Sequence, residues 1–229
     1  MSLTLIIGNR NYSSWSLRAW LFLQESQVEF ETIRIPLFKD DWREELAKYT
    51  PAGRVPVLLD GDITVWDSMA IMAHMQERFP SAVGWPKDPV ARAAARSISA
   101  EMHAGFMAIR EHLPQNIRER YQINSEHIPE PVQHEIARIS DIWSDCYQQY
   151  SRPNGWLFGE LSTADIMYAP VALRFLTYGI QLPEPAQTFI SKVQNLAAIK
   201  TWQAMAAEET ETLDFFDDLP IFSPKGERT

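Results

Sequence analysis

Two short apolar runs separated by a turn signal stand in the stretch VPVLLDGDITVW, residues 55–66. The first run, Val55 to Leu59, predicts a buried strand, and Ile63 to Trp66 predicts a second strand. Asp60-Gly61-Asp62 between them is a typical tight-turn sequence. Because parallel strands need a long crossover connection, so short a turn can only join antiparallel strands.

The segments around this hairpin predict an α/β domain. The element order over residues 1–80 is β-α-β-α-β-β-α, and its first half must form parallel strands through helical crossovers. This mixed order matches a thioredoxin-like fold with a four-stranded sheet. The elements besides the hairpin are predicted as strands at 3–7 and 30–35, a helix beginning at Ser13 or Ser14, and helices over 40–49 and 67–79.

The remainder of the chain predicts a second, all-helical domain at 90–229. Residues 81–89 contain two prolines and a glycine, so we interpret them as the linker. Apolar residues recur at helical spacing in several later segments. The predicted helices are 89–113, 131–150, 162–176, 185–193 and 196–207.

Bulk composition excludes several classes of protein. The net charge of −9 argues against a nucleic-acid partner, and the single cysteine, Cys146, excludes an internal disulfide framework. No secretory signal pattern or bilayer-length apolar run is visible, so we expect a cytoplasmic protein without a membrane partner. The five histidines show no metal-ligand spacing, so we expect no metal. Several acidic residues near the C-terminus predict a solvated tail: Glu208, Glu209, Glu211, Asp214, Asp217 and Asp218.

The junction of the first strand and first helix carries Ser13-Ser14-Trp15-Ser16. The start of a helix stabilises anions, and a serine hydroxyl there can donate a hydrogen bond to a thiolate. Lowering a thiol pKa by about two units requires about 2.7 kcal/mol. One hydrogen bond to a charged group supplies about 1.5–3 kcal/mol, so the site is adequate for this task. The alternative is that Ser13 or Ser14 is only a helix cap. Disulfide exchange is excluded, because it needs cysteines at this junction.

Two further motifs suit an extended peptide. A cis bond at Val55-Pro56 would turn the Val55 backbone outward, where it could pair with a ligand as an added strand does. Asp67-Ser68 begins a predicted helix, where the hydroxyl could bind a carboxylate and the Asp an ammonium group. An ordinary cap is the alternative reading of this pair as well.

Together these motifs resemble the glutathione transferase family over essentially the whole chain. The run Ser13-Ser14-Trp15-Ser16 is similar to the zeta class and to bacterial serine-type members, although zeta members typically carry Cys where Trp15 stands. The resemblance implies that Ser13, or Ser14 beside it, activates the thiol of glutathione as co-substrate. It further implies that Val55 pairs with the cysteinyl backbone and that Asp67 and Ser68 hold the γ-glutamyl end. Lys39 would meet the glycyl carboxylate.

The second domain would hold the other substrate. Ser162 and Asp165 have capping-box spacing, which has a folding role. Arg174 lies among apolar residues, and the resemblance implies that it binds a substrate carboxylate; a salt-bridged or snorkelling arginine is the alternative. Phe106 could line an apolar substrate pocket, although a core position is the commoner explanation.

Three functional hypotheses remain open on the sequence. The first is a detoxifying transferase that conjugates glutathione to small electrophiles, in the homodimeric form usual for the family. The second is a glutathione-dependent isomerase of the maleylacetoacetate type, which Trp15 argues against. The third is a non-catalytic binding or scaffold protein with the same fold.

Overall fold

A four-stranded mixed sheet opens the chain. The computed structural model describes residues 2–121, 123, 128–150 and 155–213. The strands are β1 (Leu3–Ile7), β2 (Glu31–Arg34), β3 (Val57–Asp60) and β4 (Ile63–Val65), in the spatial order β2-β1-β3-β4. β1 pairs parallel with β2 and antiparallel with β3, and β3 pairs antiparallel with β4. The predicted thioredoxin-like sheet is therefore confirmed.

Three helices pack on this sheet: α1 (Ser14–Glu25), α2 (Trp42–Ala47) and α3 (Ser68–Arg78). α1 is buried along most of its length because its residues 17 and 19–23 are apolar. Ser13 caps α1, and Asp67 caps α3 by accepting from the backbone N–H groups of Met69 and Ala70. The capping interpretation of both predicted motifs is thus structurally correct, whatever else these side chains do.

Helices make up most of the described chain from residue 89 onward, which confirms the predicted helical second part. They are α4 (Pro89–Ala104), α5 (Met107–His112), α6 (Glu130–Tyr150), α7 (Thr163–Thr177), α8 (Ala186–Asn195) and α9 (Ala197–Ala207). No helix in these described ranges has the length and apolar character needed to cross a bilayer.

The predicted helix over 89–113 is wrong in one respect, because it breaks at Gly105 and Phe106. Gly105 is extended, with φ −113° and ψ −160°, and Phe106 has φ 59° in the left-handed region. A Cβ on Gly105 would lie 3.0 Å from the Glu101 carbonyl oxygen, so the glycine fits this sharp turn. The apolar spacing continues across the break, and periodicity alone therefore could not reveal it.

The two halves share one hydrophobic core. α1 packs against α7 and α9, and the Trp20 and Trp202 rings lie 5.0 Å apart between centroids. Arg18 Nε donates to the Met167 carbonyl oxygen at 2.9 Å, which adds a polar link across the same interface. At the start of α7, Asp165 accepts from the N–H and the hydroxyl of Ser162 at 2.8 and 2.7 Å, as the capping box predicts.

The acidic C-terminal segment is not a solvated tail where the structure describes it, so this prediction is wrong for Glu209 and Glu211. Glu209 lies close to Arg10 and Arg34, and Glu211 pairs with Arg34 at 3.0 Å. Charge composition could not show this, because the partner arginines lie near the other end of the chain. Asp214, Asp217, Asp218 and the apolar pairs Phe215-Phe216 and Ile221-Phe222 lie outside the described residues.

Candidate active site

A cleft of about 540 Å³ lies where the sheet domain meets the helical domain. It brings together the start of α1, the loop before β3, the start of α3 and the end of α4. Its lining residues are Trp15, Ala52, Arg54, Val55, Pro56, Trp66, Asp67 and His103. Two of the predicted site residues, Val55 and Asp67, therefore face one cleft together with Trp15.

The hydroxyl of Ser13 is part of a short hydrogen-bonded chain. Ser13 Oγ accepts from the Ser16 N–H at 3.2 Å and lies 2.7 Å from Ser16 Oγ. Ser16 Oγ in turn accepts from the Gly8 N–H at 3.0 Å. Ser14 is the first residue of α1, and its hydroxyl has no hydrogen bond to another described residue. Both serines are nearly buried and directly precede Trp15 at the cleft wall.

The backbone of Val55 is available for pairing. The Val55–Pro56 peptide bond is cis. Among the described residues, neither the N–H nor the C=O of Val55 takes part in a hydrogen bond. Because Val55 lines the cleft one residue before the buried Pro56, an extended ligand could pair with these two groups.

Asp67 faces the second domain as well as its own helix. Its Oδ2 lies 2.9 Å from Nε2 of His103 on α4, while Oδ1 caps α3. His103 Nδ1 is buried and has no hydrogen-bond partner among the described residues. This pair was not predicted from the sequence, because no spacing rule links residues on helices of different domains.

Ser68 is fully buried, and its hydroxyl has no partner within the described part of the chain. A buried hydroxyl without a partner costs free energy, typically about 1–3 kcal/mol. A ligand carboxylate that reached the start of α3 would offer the acceptor that this hydroxyl lacks.

Besides Ser13, Ser14 and Ser68, three more predicted site residues are not part of the cleft lining. Lys39 is exposed, with its Nζ 3.6 Å from a Glu211 carboxylate oxygen. Phe106 lies in the main hydrophobic core, only 7% exposed, at the break between α4 and α5. Arg174 is buried on α7. Arg54, by contrast, lines the cleft as a cation, although no role was predicted for it from the sequence.

Behind Trp15 the structure gathers three arginines. The guanidinium carbons of Arg18 and Arg110 lie over the Trp15 ring, 4.5 and 4.7 Å from its centroid. Nη1 and Nη2 of Arg18 and Nε of Arg174 are buried without a hydrogen-bond partner among the described residues. Trp15 and Arg18 stand three residues apart on α1, so helical spacing could have paired them.

The pKa values of these arginines are lowered mainly by burial, and for Arg18 and Arg174 by repulsion from the neighbouring arginines as well. Burial, followed by the charges of Arg110 and Arg174, lowers the pKa of Arg18 well below its usual value. Burial and then Arg110 lower the pKa of Arg174 to about 10. Burial also lowers the pKa of Arg110, with Glu135 opposing it. The Glu135 carboxylate accepts from the N–H groups of Ala108 and Ile109, so its charge is shared with the start of α5.

The described residues contain no group of three or more His, Cys, Asp or Glu side chains that could hold a metal ion. Cys146 is buried on α6, where burial raises the pKa of its thiol to about 12. Thiol chemistry at the cleft would therefore have to come from a ligand rather than from this cysteine.

The chain thus consists of a thioredoxin-like domain joined to a helical domain, with a cleft of polar and apolar residues between them. Known proteins with similar sequences share this architecture. The sequence model described as glutathione S-transferase, N-terminal domain, matches residues 12–78. A maleylacetoacetate isomerase of Rattus norvegicus is 28% identical over 85% of this chain and 87% of its own length. A probable maleylacetoacetate isomerase of Caenorhabditis elegans is 32% identical, but the match spans only 44% of this chain and 46% of that relative.

Solved structures agree on the fold. A glutathione transferase homologue from a Burkholderia strain, with bound glutathione, superposes with a TM-score of 0.68 at 19% identity. The superposition covers 91% of this chain and all of that one. Residues 12–78 of the chain are therefore similar to the N-terminal domain of glutathione S-transferases, and the fold over 91% of the chain is that of a glutathione transferase homologue.

Proposed function

We propose that this protein is a glutathione transferase, which binds glutathione in the interdomain cleft and adds its thiolate to a small electrophile. The observation that carries the proposal is the convergence of Trp15, Val55 and Asp67 on one cleft, since these residues come from the three motifs that suit a γ-glutamyl tripeptide. The similarity of residues 12–78 to the glutathione S-transferase N-terminal domain, and of most of the chain to a maleylacetoacetate isomerase, supports a glutathione-dependent activity.

In this proposal the tripeptide is held along its length. The N–H and C=O of Val55, which have no partner among the described residues, bond the cysteinyl backbone, as an added strand would. Asp67 takes the γ-glutamyl ammonium, and the Ser68 hydroxyl with the start of α3 takes the γ-glutamyl carboxylate. Lys39 remains our prediction for the glycyl carboxylate, and Arg54 is a second cation for that role because it lines the cleft.

Ser13 activates the sulfur in this scheme. When Ser16 donates its hydroxyl proton to Ser13 Oγ, the Ser13 proton is free to be donated to the thiolate. That hydrogen bond is worth about 1.5–3 kcal/mol, and the positive end of α1 adds about 0.3–1 kcal/mol. Ser14 is the alternative donor, because its hydroxyl has no bond to another described residue.

The test is calorimetric titration of glutathione into the wild type and into Ser68→Ala, with Ser97→Ala as the control. Ser97 is an exposed serine on α4 that lies away from the cleft lining. We expect weaker binding only in Ser68→Ala. Conjugation rates of Ser13→Ala and Ser14→Ala then decide which hydroxyl serves the sulfur. If the wild type does not bind glutathione at millimolar concentration, the proposal fails and the non-catalytic scaffold becomes the better explanation.

The second candidate is glutathione-dependent isomerisation of a dicarboxylic dienone of the maleylacetoacetate type. The buried arginines Arg18 and Arg174 favour it, because their guanidinium nitrogens that have no hydrogen-bond partner among the described residues suit a substrate carboxylate. Glutathione would add to the dienone and leave again, so no net conjugate would form. An isomerisation assay that shows no glutathione-dependent turnover would remove this candidate.

The assembly and location remain expectations of the family resemblance. We expect a homodimer in solution and a cytoplasmic protein. β4 carries an exposed apolar residue, Ile63, and the exposed Trp66 follows the strand. Light scattering of the purified protein would establish the mass of the assembly, and a monomer would contradict the expectation.

A further inference from the structure

The chain returns from the end of α9 to the loop that precedes α1. After Ala207, the described segment 208–213 lies against residues 9–12, although the two are far apart in sequence. Glu208 is exposed, whereas the side chain of Glu209 is only 4% exposed. A carboxylate is rarely buried unless charges or hydrogen-bond donors satisfy it.

The carboxylate of Glu209 is held by two consecutive backbone donors. Its Oε1 accepts from the N–H of Arg10 at 2.9 Å, and its Oε2 accepts from the N–H of Asn11 at 3.2 Å. Nη1 of Arg10 and Nε of Arg34 lie 3.5 and 3.7 Å from Oε1. Loop N–H groups have no helix or strand partner, so one carboxylate satisfies two donors that would otherwise be unpaired.

Further contacts fix the same loop from the helical domain. Asn11 accepts from the Arg118 N–H at 2.9 Å and donates to Asn116 at 2.8 Å. Trp202 Nε1 donates to the Arg10 carbonyl oxygen at 3.0 Å. Arg118 also donates to the carbonyl oxygen of Glu209, so the loop and the C-terminal segment are braced together.

This loop leads directly into the cap of α1. The carbonyl oxygen of Asn9 accepts from the N–H groups of Tyr12 and Ser13 at 3.3 and 2.9 Å. The position of the Ser13 backbone therefore depends on the conformation of residues 9–12. A displacement of about 1 Å in a reacting group is enough to reduce a rate by about a hundredfold.

We propose that Glu209 is a positioning residue for the start of α1: by holding the N–H groups of Arg10 and Asn11, it places the Ser13 hydroxyl against the sulfur of the bound thiol. The inference rests on the proposed function for its catalytic consequence, and Glu209 itself does not touch the substrate. The carboxylate matters because it accepts at both oxygens. A glutamine at this position would keep one acceptor and turn an NH₂ group toward the other backbone donor.

The experiment compares Glu209→Ala and Glu209→Gln with the wild type, and uses the exposed neighbour in Glu208→Ala as the matched control. Hydrogen exchange of peptides covering residues 8–13 is measured without glutathione. Conjugation is then measured as kcat, KM for glutathione and the pH profile of kcat/KM. The exchange measurement reports on the loop whether or not the protein uses glutathione.

We expect Glu209→Ala to raise exchange of the loop amides about tenfold or more, without a matching change in the sheet. We expect kcat to fall about tenfold or more, KM for glutathione to change less than about twofold, and the pH profile to move to higher pH. For loop exchange and for kcat, Glu209→Gln should give values between those of the wild type and Glu209→Ala. Glu208→Ala should match the wild type.

Unchanged loop exchange in Glu209→Ala would overturn the proposal. So would a loss of activity that only follows the folded fraction and leaves the pH profile unmoved. If Glu209→Ala does not fold, the glutamine variant supplies the same comparisons. If the wild type lacks glutathione activity, the proposed function fails separately, and the exchange data still decide whether Glu209 holds the loop.

Discussion

Replacing Arg174 with methionine should make the folded protein more stable and less active. The pKa of Arg174 falls from 12.5 to about 10 because burial and the charge of Arg110 penalise its charged form. That difference corresponds to about 3 kcal/mol of destabilisation at neutral pH. Methionine is unbranched and fills irregular core space, so Arg174→Met should recover about 1–3 kcal/mol of the unfolding free energy.

The sign of the effect fixes its pH dependence. A base whose pKa is lower in the folded chain is destabilising at every pH below that folded value. The difference between Arg174→Met and the wild type should therefore be constant around neutral pH and shrink only as the pH rises through about 10. Urea unfolding at pH 7 and pH 9 measures this difference in unfolding free energy, which should be the same at both pH values. The two proteins can be compared only if their m-values are equal.

The matched control is Arg138→Met on the surface of α6. Arg138 pairs with Glu101 at 2.8 Å and is half exposed, so its loss should change the unfolding free energy by less than about 1 kcal/mol. In a second arm, sodium maleate tests the proposed binding of a carboxylate by the arginine cluster: it should raise the melting temperature of the wild type but not of Arg174→Met, which lacks one of the three guanidinium groups.

A less stable Arg174→Met protein, by about 1 kcal/mol or more, would refute this reasoning. It would mean that the Arg174 guanidinium has favourable interactions that outweigh its burial. Equal stabilisation of both proteins by maleate would show that the arginine cluster is not the site of anion binding.

Two further predictions concern buried groups. Asp165→Ala should lower the unfolding free energy by about 2–4 kcal/mol in denaturant titration, because the N–H groups of Leu157 and Ser162 lose their buried acceptor. Burial raises the pKa of Asp165 to about 6, so this carboxyl binds its proton more tightly in the folded chain than in the unfolded one. Its contribution to stability, measured as the difference between wild type and Asp165→Asn, should fall by about 2 kcal/mol between pH 4 and pH 7, and a rise would contradict the assignment. Cys146 should resist thiol reagents at pH 8 in the folded protein and react at once in urea, because burial in the folded protein raises the pKa of its thiol to about 12. Rapid labelling of the folded protein would be inconsistent with the packing of α6.

The fold was accessible from the sequence because local signals and topology rules agree. The turn Asp60-Gly61-Asp62 permits only antiparallel pairing of β3 and β4, and β1 and β2 can pair in parallel only through α1. The capping box of Ser162 and Asp165 lies within four residues, so it is visible without tertiary information. The break at Gly105 was not predicted, since the apolar spacing continues beyond it.

The site was accessible only in part. Val55 and Asp67 stand beside local signals, a proline at a strand start and a helix cap, and both line the cleft. Their partner residues carry no such signal. Asp67 contacts His103, and Trp15 contacts Arg110. Each contact joins an element of the sheet domain to one of the helical domain, and the packing of the helices decides how these elements are placed.

The sequence by itself determined the order of the strands and of the helices apart from the break at Gly105. It narrowed the two helix caps to Ser13 or Ser14 and to Asp67 or Ser68, and it pointed to Val55, because each of these features depends on neighbours along the chain. The tertiary structure decided the charge arrangement. It buried Arg18 and Arg174 with guanidinium nitrogens that find no hydrogen-bond partner in the described part of the chain, and it made Glu209, one residue of an acidic segment, the acceptor that holds the loop before α1. Long-range packing sets these environments. The neighbouring sequence does not show how deeply a charged side chain is buried, or that its partner comes from the far end of the chain.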